Sequence, residues 1–285
     1  MKLTADGGST KVHWLLTDGS RRVREIFTPG MNPGVMECAD MRELLTKHLL
    51  PQLGDDGGAI GCVEYYGAGC RGEACRRMEK LLHELFPEAD SIIADSDMAG
   101  ACHAVASDSA AIVCILGTGA NSCLCNGGKI IDNVPPLGYI LGDEGSGAWL
   151  GKRLVADILK ELLPSDITAE FHAAYPYSYD ELIRHIYRPA PDDGTPNSFL
   201  ARFAPFLSAH IGCKEIENIV LDGFSMFFDR NVMLYFRRHD LPHTTGIYFV
   251  GSVAHNFREQ LCKVAAQHGL KISGIRRSPL ADPGN

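Results

Sequence analysis

The sequence has no long hydrophobic run, no strongly basic segment and no cysteine pair of the Cys-x-x-Cys type. No stretch approaches the roughly 18 to 20 apolar residues of a membrane-spanning helix, so we expect no transmembrane segment. Asp6 comes before any apolar leader could form, which favours a soluble, cytoplasmic protein. The formal net charge of -8 at pH 7 leaves little positive surface for the phosphates of DNA or RNA, so we expect no nucleic-acid partner.

Ten cysteines are present, yet their spacing matches neither a metal site nor a redox motif. Cys123 and Cys125 alternate along a predicted strand without a nearby histidine, and Cys70 and Cys75 flank the start of a predicted helix. We therefore expect free thiols, mostly buried, in a reducing compartment. The sequence also lacks Gly-x-x-x-x-Gly-Lys-[Ser/Thr], which excludes a P-loop.

Length and pattern favour two α/β domains. With 285 residues, of which 45% are hydrophobic, the chain is long enough to form two cores. Three predicted strands and then alternating helices and strands fill the first third, and a strand beginning at Ile112 restarts the pattern. We predict one domain over residues 1–107 and a second, with extra helices, over 108–285, and the last segment could pack back on the first domain. An exposed loop is expected over residues 189–196.

Two glycine-containing turns each follow an apolar strand and precede another strand. The first is Asp6-Gly7-Gly8-Ser9-Thr10, and the second is Gly117-Thr118-Gly119-Ala120-Asn121. Backbone N–H groups at such hairpin tips converge on anions, because glycine lets the main chain approach closely. Two turns of this kind, one in each half of the chain, predict a duplicated scaffold that binds a polyphosphate.

Carboxylates follow two of the predicted strands. Asp6 precedes the first turn, where it could hold Mg²⁺ or cap the turn, and the second turn favours the metal hypothesis. Asp95 and Asp97 follow a later strand and begin a helix made of small residues. One of them could face a ligand cleft while the other caps the helix.

A third glycine-rich segment, residues 142–149, opens a predicted helix. Its acidic residues, Asp143 and Glu144, would lie on the first helical turn and suit the helix dipole. Its glycines would equally suit close approach to a polyhydroxylated ligand or a phosphate. A further segment, residues 67–72, has the spelling of a dinucleotide fingerprint, but three strands and a helix precede it and it leaves both turns without a role.

Seven segments, taken in order, resemble the N-acetylglucosamine kinase group of the benzoyl-CoA-reductase-activator-type ATPases, within the actin/hexokinase/chaperone ATPase superfamily. They are residues 6–10, 30–33, 66–70, 97–100, 116–121, 138–147 and 251–254. The resemblance implies two ribonuclease-H-like domains of the actin-like ATPase type, with a cleft for nucleotide and sugar between them. It also implies a homodimer.

The resemblance implies ATP and Mg²⁺ as cofactors and an amino-sugar hydroxyl as the phosphate acceptor, most simply N-acetylglucosamine giving its 6-phosphate. Residues implied at the ATP phosphates are Gly8, Ser9, Thr10, Lys11, Gly117, Thr118 and Gly119, with Gly251 and Ser252 beside the adenosine. Asp6 would hold Mg²⁺, and Asp97 would be the general base. The sugar would be bound by Asn32, Asn121 and Asp143.

Two features depart from the family pattern. The chain ends in Ser278-Pro279-Leu280-Ala281-Asp282-Pro283-Gly284-Asn285 rather than in the usual Gly-Leu, aromatic and His, and Asn32 is followed by Pro33 and Gly34 rather than by a sugar-stacking aromatic. Two other functions fit the superfamily: an ATPase activator of an iron–sulfur-dependent dehydratase or reductase, and a non-catalytic nucleotide- or sugar-binding module.

Overall fold

The computed structural model describes residues 1–8, 11–105, 109–190 and 193–280. By their internal contacts, these residues form two compact units. Unit 1 consists of residues 1–105 and 278–280, and unit 2 of residues 109–277. The domain boundary predicted at 107/108 lies outside the described residues and stays a prediction. Among the residues described, no helix is long and apolar enough to cross a bilayer.

Unit 1 contains a mixed five-stranded sheet with the order β3-β2-β1-β4-β5. Its strands are β1 (Lys2–Gly7), β2 (Lys11–Asp18), β3 (Arg21–Pro29), β4 (Cys62–Gly67) and β5 (Ser91–Ser96). Its helices are α1 (Cys38–His48), α2 (Leu50–Leu53), α3 (Glu73–Leu85) and α4 (Asp97–Val105). β1 pairs antiparallel with β2 and parallel with β4, so β1 lies at the centre of the sheet.

Unit 2 repeats this arrangement with the order β10-β9-β6-β7-β8. Its strands are β6 (Ala111–Leu116), β7 (Ala120–Asn126), β8 (Lys129–Asp132), β9 (Gly246–Val250) and β10 (Gly274–Arg276). Between β8 and β9 lie α5 (Gly138–Leu141), α6 (Gly147–Leu159), α7 (Ser165–Ala174), α8 (Tyr179–Tyr187), α9 (Pro196–Ala201), α10 (Ala204–Ala209), α11 (Lys214–Phe227), a π-helical turn (Phe228–Val232) and α12 (Met233–His239). Between β9 and β10 lie α13 (Ser252–Asn256) and α14 (Arg258–Gln267).

The α/β class and the duplication predicted from the two turns are confirmed, because β1 and β6 occupy the same place in sheets of the same order and direction. Each unit has its own core. Leu3, Val12 and Trp14 are fully buried in unit 1, and the indole Nε1 of Trp14 donates to Thr28 Oγ1 at 3.1 Å. In unit 2, five of the six residues of β6 are buried, as expected for a central strand covered on both faces.

Near β4 and after β9, the predicted element boundaries are wrong. The strand expected from Ala59 begins at Cys62, because residues 54–59 form a 3₁₀ turn and the amides of Gly61 and Cys62 both donate to Met1 O at the edge of β1. The single helix expected after β9 is two helices, α13 and α14, separated at Phe257. The side chains expected on the inner face of that helix are nevertheless buried in the core of unit 2. They are Val253, Phe257, Leu261 and Val264.

Candidate active site

The first turn closes unit 1's central hairpin. Gly8 N donates to Lys11 O at 2.9 Å, and Gly8 O accepts from Met31 N at 3.2 Å. Ser9 and Thr10, predicted phosphate-binding residues, lie outside the described residues. Lys11 is exposed, and its ammonium lies 5.2 Å from the centre of the Phe27 ring. Lys11 therefore places an exposed cation next to the first turn.

Two carboxylates of unit 1 lie at the same end of its sheet as the first turn. Asp6 precedes the last residue of β1, and Asp97 begins α4 directly after β5. Burial is the main cause that raises the pKa of Asp6 to about 6, and the nearby charge of Asp97 raises it further. Burial also raises the pKa of Asp97, against the opposing effects of the Met98 amide and the Arg71 charge. These carboxylates are held where their charges are poorly solvated.

The structure separates Asp95 from Asp97. Asp95 is exposed on β5, and its Oδ1 accepts from the adjacent Ser96 N at 2.6 Å. Asp97 is partly buried, and its Oδ1 accepts from Met98 N at 2.9 Å in the first turn of α4. Of the two residues, Asp97 is the one whose charge acts on the pKa of Asp6.

Asn32 lies in the loop after β3, and its side chain has a fixed orientation. Its Oδ1 accepts from Gly34 N at 2.9 Å. Gly69 has a φ of +76° and packs on this amide so closely that a Cβ there would overlap Asn32 Oδ1. The loop is held further by Arg77, whose Nη2 donates to Pro33 O at 2.6 Å. Among the described residues no acceptor contacts the Asn32 amide nitrogen, which is therefore available to a ligand.

The C-terminal segment contacts Asp6 through a pair of side chains that the sequence did not predict. Ser278 Oγ donates to Asp6 Oδ2 at 3.0 Å, and Leu280 O accepts from Arg22 Nη2 at 2.9 Å. No local pattern could reveal the first bond, because 272 residues separate the two side chains. Ser278 therefore orients one oxygen of Asp6.

The second turn, in unit 2, is held by a helix. Gly117 N donates to Gly119 O at 3.0 Å, and the carbonyls of Gly117 and Thr118 accept from the first amides of α6, those of Gly147 and Ala148, at 2.8 and 3.0 Å. This corrects the predicted helix start: α6 begins at Gly147 and is capped by Ser146, whose Oγ accepts from Trp149 N at 3.1 Å. The acidic residues therefore precede the helix and do not lie on its first turn.

Asp143 and Glu144 lie in the loop before α6. Asp143 has a φ of +57°, and its buried side chain accepts from Ala120 N at 3.2 Å through Oδ1. Burial is the main cause that raises its pKa, and the charge of Glu144 adds to the effect. Glu144 is also buried and pairs with Arg230 Nε at 3.0 Å. Asp143 thus bonds to the end of the second turn, whereas the charge of Glu144 is neutralised by Arg230.

Asn121 is the second residue of β7 and is buried. Its Oδ1 accepts from Ser122 N at 2.9 Å and from Asn133 Nδ2 at 3.0 Å. Gly251 lies against the end of β6: its φ is +128°, and a Cβ there would overlap Leu116 O. Ser252 follows as the exposed first residue of α13. Asn121, Asp143 and Gly251 thus lie around the second turn.

The side chains of unit 1 fit a nucleotide-associated magnesium ion. Across the described ranges, no group of three or more His, Cys, Asp or Glu side chains could hold a metal by itself. Mg²⁺ bound with a nucleotide needs only one or two carboxylates, since phosphates and water complete its shell. Asp6 matches this need, because its charge is buried beside a second carboxylate and lacks a compensating ion pair among the described residues.

The whole chain was compared with known proteins. A scan against protein-family models gives no match, and neither does a search of curated proteins. Among solved structures, a candidate N-acetylglucosamine kinase from Porphyromonas gingivalis is 37% identical, with a TM-score of 0.92 over 98% of this chain and 96% of that one. The chain belongs to the N-acetylglucosamine kinase-like family.

Two more distant structures share the fold of this N-acetylglucosamine kinase-like protein. A candidate N-acetylglucosamine kinase from Chromobacterium violaceum has a TM-score of 0.68 at 15% identity, over 95% of this chain and 93% of that one. A ROK hexokinase from Thermus thermophilus has a TM-score of 0.51 at 15% identity, over 96% and 91%. The predicted two-domain actin-like ATPase fold is confirmed.

Proposed function

We propose that this protein transfers the γ-phosphoryl group of ATP to a hydroxyl of an amino sugar, most simply the 6-hydroxyl of N-acetylglucosamine. The observation that carries the proposal is the placement of Asp97 in unit 1, where it is partly buried at the same end of the sheet as the first turn and its charge acts on Asp6. The 37% identity to a candidate N-acetylglucosamine kinase supports the same function. The homodimer implied by the family resemblance stays a prediction.

Asp97 acts as the general base in this proposal. Its carboxylate accepts the proton of the sugar hydroxyl as that oxygen attacks the γ-phosphorus, and ADP leaves. Burial raises the pKa of Asp97, which makes the carboxylate a better proton acceptor than an exposed aspartate. Asp6 would hold Mg²⁺, which neutralises charge on the phosphate oxygens.

The two turns bind phosphate oxygens through backbone amides. In unit 1 the turn offers the region of Gly8 and the cation of Lys11; Ser9 and Thr10 belong to the same proposed set. In unit 2 the groups are Gly117, Thr118 and Gly119, with Gly251 and Ser252 assigned to the adenosine. The sugar contacts are assigned to Asn32, Asn121 and Asp143, which present amide and carboxylate groups of fixed orientation.

The test is ADP release with Mg²⁺-ATP across a panel of amino sugars, with the product identified by ³¹P NMR. We expect turnover that depends on the sugar, and a 6-phosphate with N-acetylglucosamine. Slow hydrolysis that no sugar stimulates, together with bound iron, would favour the dehydratase or reductase activator instead. Nucleotide binding with no turnover under any condition would favour a non-catalytic binding module.

A further inference from the structure

The side chain of Asn121 can offer a ligand only hydrogen-bond donors. Its Oδ1 accepts from Ser122 N, and a backbone amide can only donate, so this atom must be the oxygen. Asn133 Nδ2 donates to the same oxygen at 3.0 Å. Within the part of the chain that the structure describes, no acceptor contacts Asn121 Nδ2. The amide nitrogen, with two N–H groups, is the end left for a ligand.

The orientation of Asn133 is itself fixed. It follows β8 directly, and its Nδ2 lies near three oxygens, those of the Asn121 side chain and of the Ser122 and Val134 carbonyls. An oxygen in that place would face three acceptors, so only the NH₂ group is compatible with the surroundings. Asn133, together with Ser122 N, therefore holds Asn121 in one of its two possible amide orientations.

The fully buried side chain of Tyr235 supports the same loop from α12. Val134 N donates to its hydroxyl at 2.9 Å, and that hydroxyl pairs with Ser122 Oγ at 3.0 Å. These bonds anchor the backbone next to Asn133 and the side chain next to Asn121, but they do not touch the Asn121 amide. Removing the Tyr235 hydroxyl would thus disturb this loop but leave the orientation of the Asn121 amide unchanged.

Asp143 has the opposite polarity. Its Oδ1 accepts from Ala120 N, and no donor in the described ranges contacts its Oδ2. An ionised carboxylate can only accept hydrogen bonds. A ligand hydroxyl that meets Asp143 must therefore donate its proton, whereas a ligand group that meets Asn121 must accept.

We propose that Asn133 is a positioning residue that sets the specificity of the sugar site: it locks Asn121 as a donor, so the substrate presents an acceptor to Asn121 and a hydroxyl donor to Asp143. This inference rests on the proposed sugar kinase function. The expected substrate is a polyhydroxylated sugar. One of its recognised oxygens accepts a hydrogen bond from Asn121, and another recognised hydroxyl donates one to Asp143.

The kinetic test uses the accepted sugar with single hydroxyls replaced by fluorine or hydrogen, since fluorine accepts a hydrogen bond weakly and donates none. We expect one position where the fluoro sugar keeps a lower KM than the deoxy sugar, and another where both are equally poor. In Asn133→Asp, which removes the NH₂ group, KM for the parent sugar should rise about tenfold, with kcat within about threefold of wild type. The preference for fluorine over hydrogen should disappear at the first position only.

Tyr235→Phe is the matched control, because it lowers stability in the same loop but leaves the Asn121 amide locked. We expect its fluoro and deoxy preferences to equal those of wild type. The inference is overturned if Asn133→Asp keeps KM within twofold, if it raises KM for every analogue alike, or if Tyr235→Phe changes the preferences in the same way.

A measurement without substrate separates this inference from the proposed function. In side-chain amide NMR of the ¹⁵N-labelled protein, the Asn133 NH₂ protons should exchange slowly with water and those of Asn121 rapidly. If wild type phosphorylates no sugar but shows this pattern, the proposed function fails and the amide lock stands. If wild type phosphorylates a sugar and Asn133 is unprotected, the lock is refuted and the kinase function stands.

Discussion

Unit 1 and unit 2 share one sheet order but place different chemistry at the central hairpin. Unit 1 has two poorly solvated carboxylates, Asp6 and Asp97, beside a turn that precedes an exposed lysine. Unit 2 has a turn whose carbonyls are bound by the first amides of α6. The site of Asp6 in β1 corresponds to Ile115 in β6, since each precedes the last residue of its strand.

This difference shows how a duplicated backbone can divide two tasks. A hairpin tip can bind phosphate in either unit through the main-chain amides that the turn itself does not use. Proton transfer and metal binding need carboxylates, and in the arrangement we propose Asp6 and Asp97 of unit 1 perform these tasks, whereas Asp143 beside the second turn binds the sugar. In this arrangement unit 1 is responsible for the chemistry and unit 2 for a rigid binding surface.

The largest effect is expected from Asp97→Asn in unit 1. Loss of a general base lowers kcat by about 10² to 10⁴-fold, and we expect a fall in this range with little change in KM for ATP. Asp95→Asn is the matched control, because Asp95 is exposed two residues away. Steady-state ADP release measures both variants. A silent Asp97→Asn with an impaired Asp95→Asn would move the base to Asp95 while leaving the kinase function intact.

A large loss of stability is expected from Gly251→Ala in unit 2. The new Cβ would overlap Leu116 O, and the φ of +128° is one that alanine rarely adopts. We expect a loss of about 2 to 3 kcal/mol in the free energy of unfolding, measured by urea denaturation. Gly117→Ala is the control, because a Cβ there meets nothing within 4 Å. Equal losses in the two variants would mean that unit 2's turn is not held by close packing.

Asp6→Asn should stabilise the metal-free protein at alkaline pH. Burial in the folded state raises the pKa of Asp6 to about 6, well above the usual value of an aspartate. Ionisation of Asp6 therefore destabilises the folded state increasingly as the pH rises towards and through 6. We expect a gain of about 1 to 3 kcal/mol at pH 8 with EDTA present, and a gain that shrinks towards zero near pH 4. Thermal unfolding measures the difference. A gain that does not depend on pH would contradict the buried-charge explanation.

The smallest effect is expected from Ser278→Ala. This change removes the hydroxyl that donates to Asp6 Oδ2 but leaves the carboxylate itself. We expect the Mg²⁺ concentration for half-maximal activity to rise about two- to fivefold, with kcat nearly unchanged, which corresponds to one modest hydrogen bond. Ser278→Thr keeps a hydroxyl and should restore the wild-type requirement. If alanine and threonine behave alike, the Ser278 bond does not orient Asp6.

Local patterns predicted the strands and turns well, because hydrophobic runs and glycine positions are properties of neighbouring residues. Local patterns could not decide whether Asp95 or Asp97 is the better candidate for the general base. The pairing of β5 and the start of α4 determine that Asp95 is exposed and Asp97 is partly buried. The start of α6 was misplaced for a related reason: Asp143 adopts a φ of +57°, a conformation rare outside glycine. Asn133 could not be predicted from the sequence, because its proposed role depends on one side-chain bond to Asn121 and it belongs to no recognisable motif.

The two connections between the units have a consequence for dissecting the chain. The chain leaves unit 1 after residue 105 and returns to it at residue 278, so unit 2 is an insertion within unit 1. A fragment that stops near residue 107 would lose Ser278, and with it a partner of Asp6. An independent unit 1 would have to be made by splicing, with the C-terminal residues rejoined to residue 105 through a linker, while unit 2 could be cut out as one continuous piece.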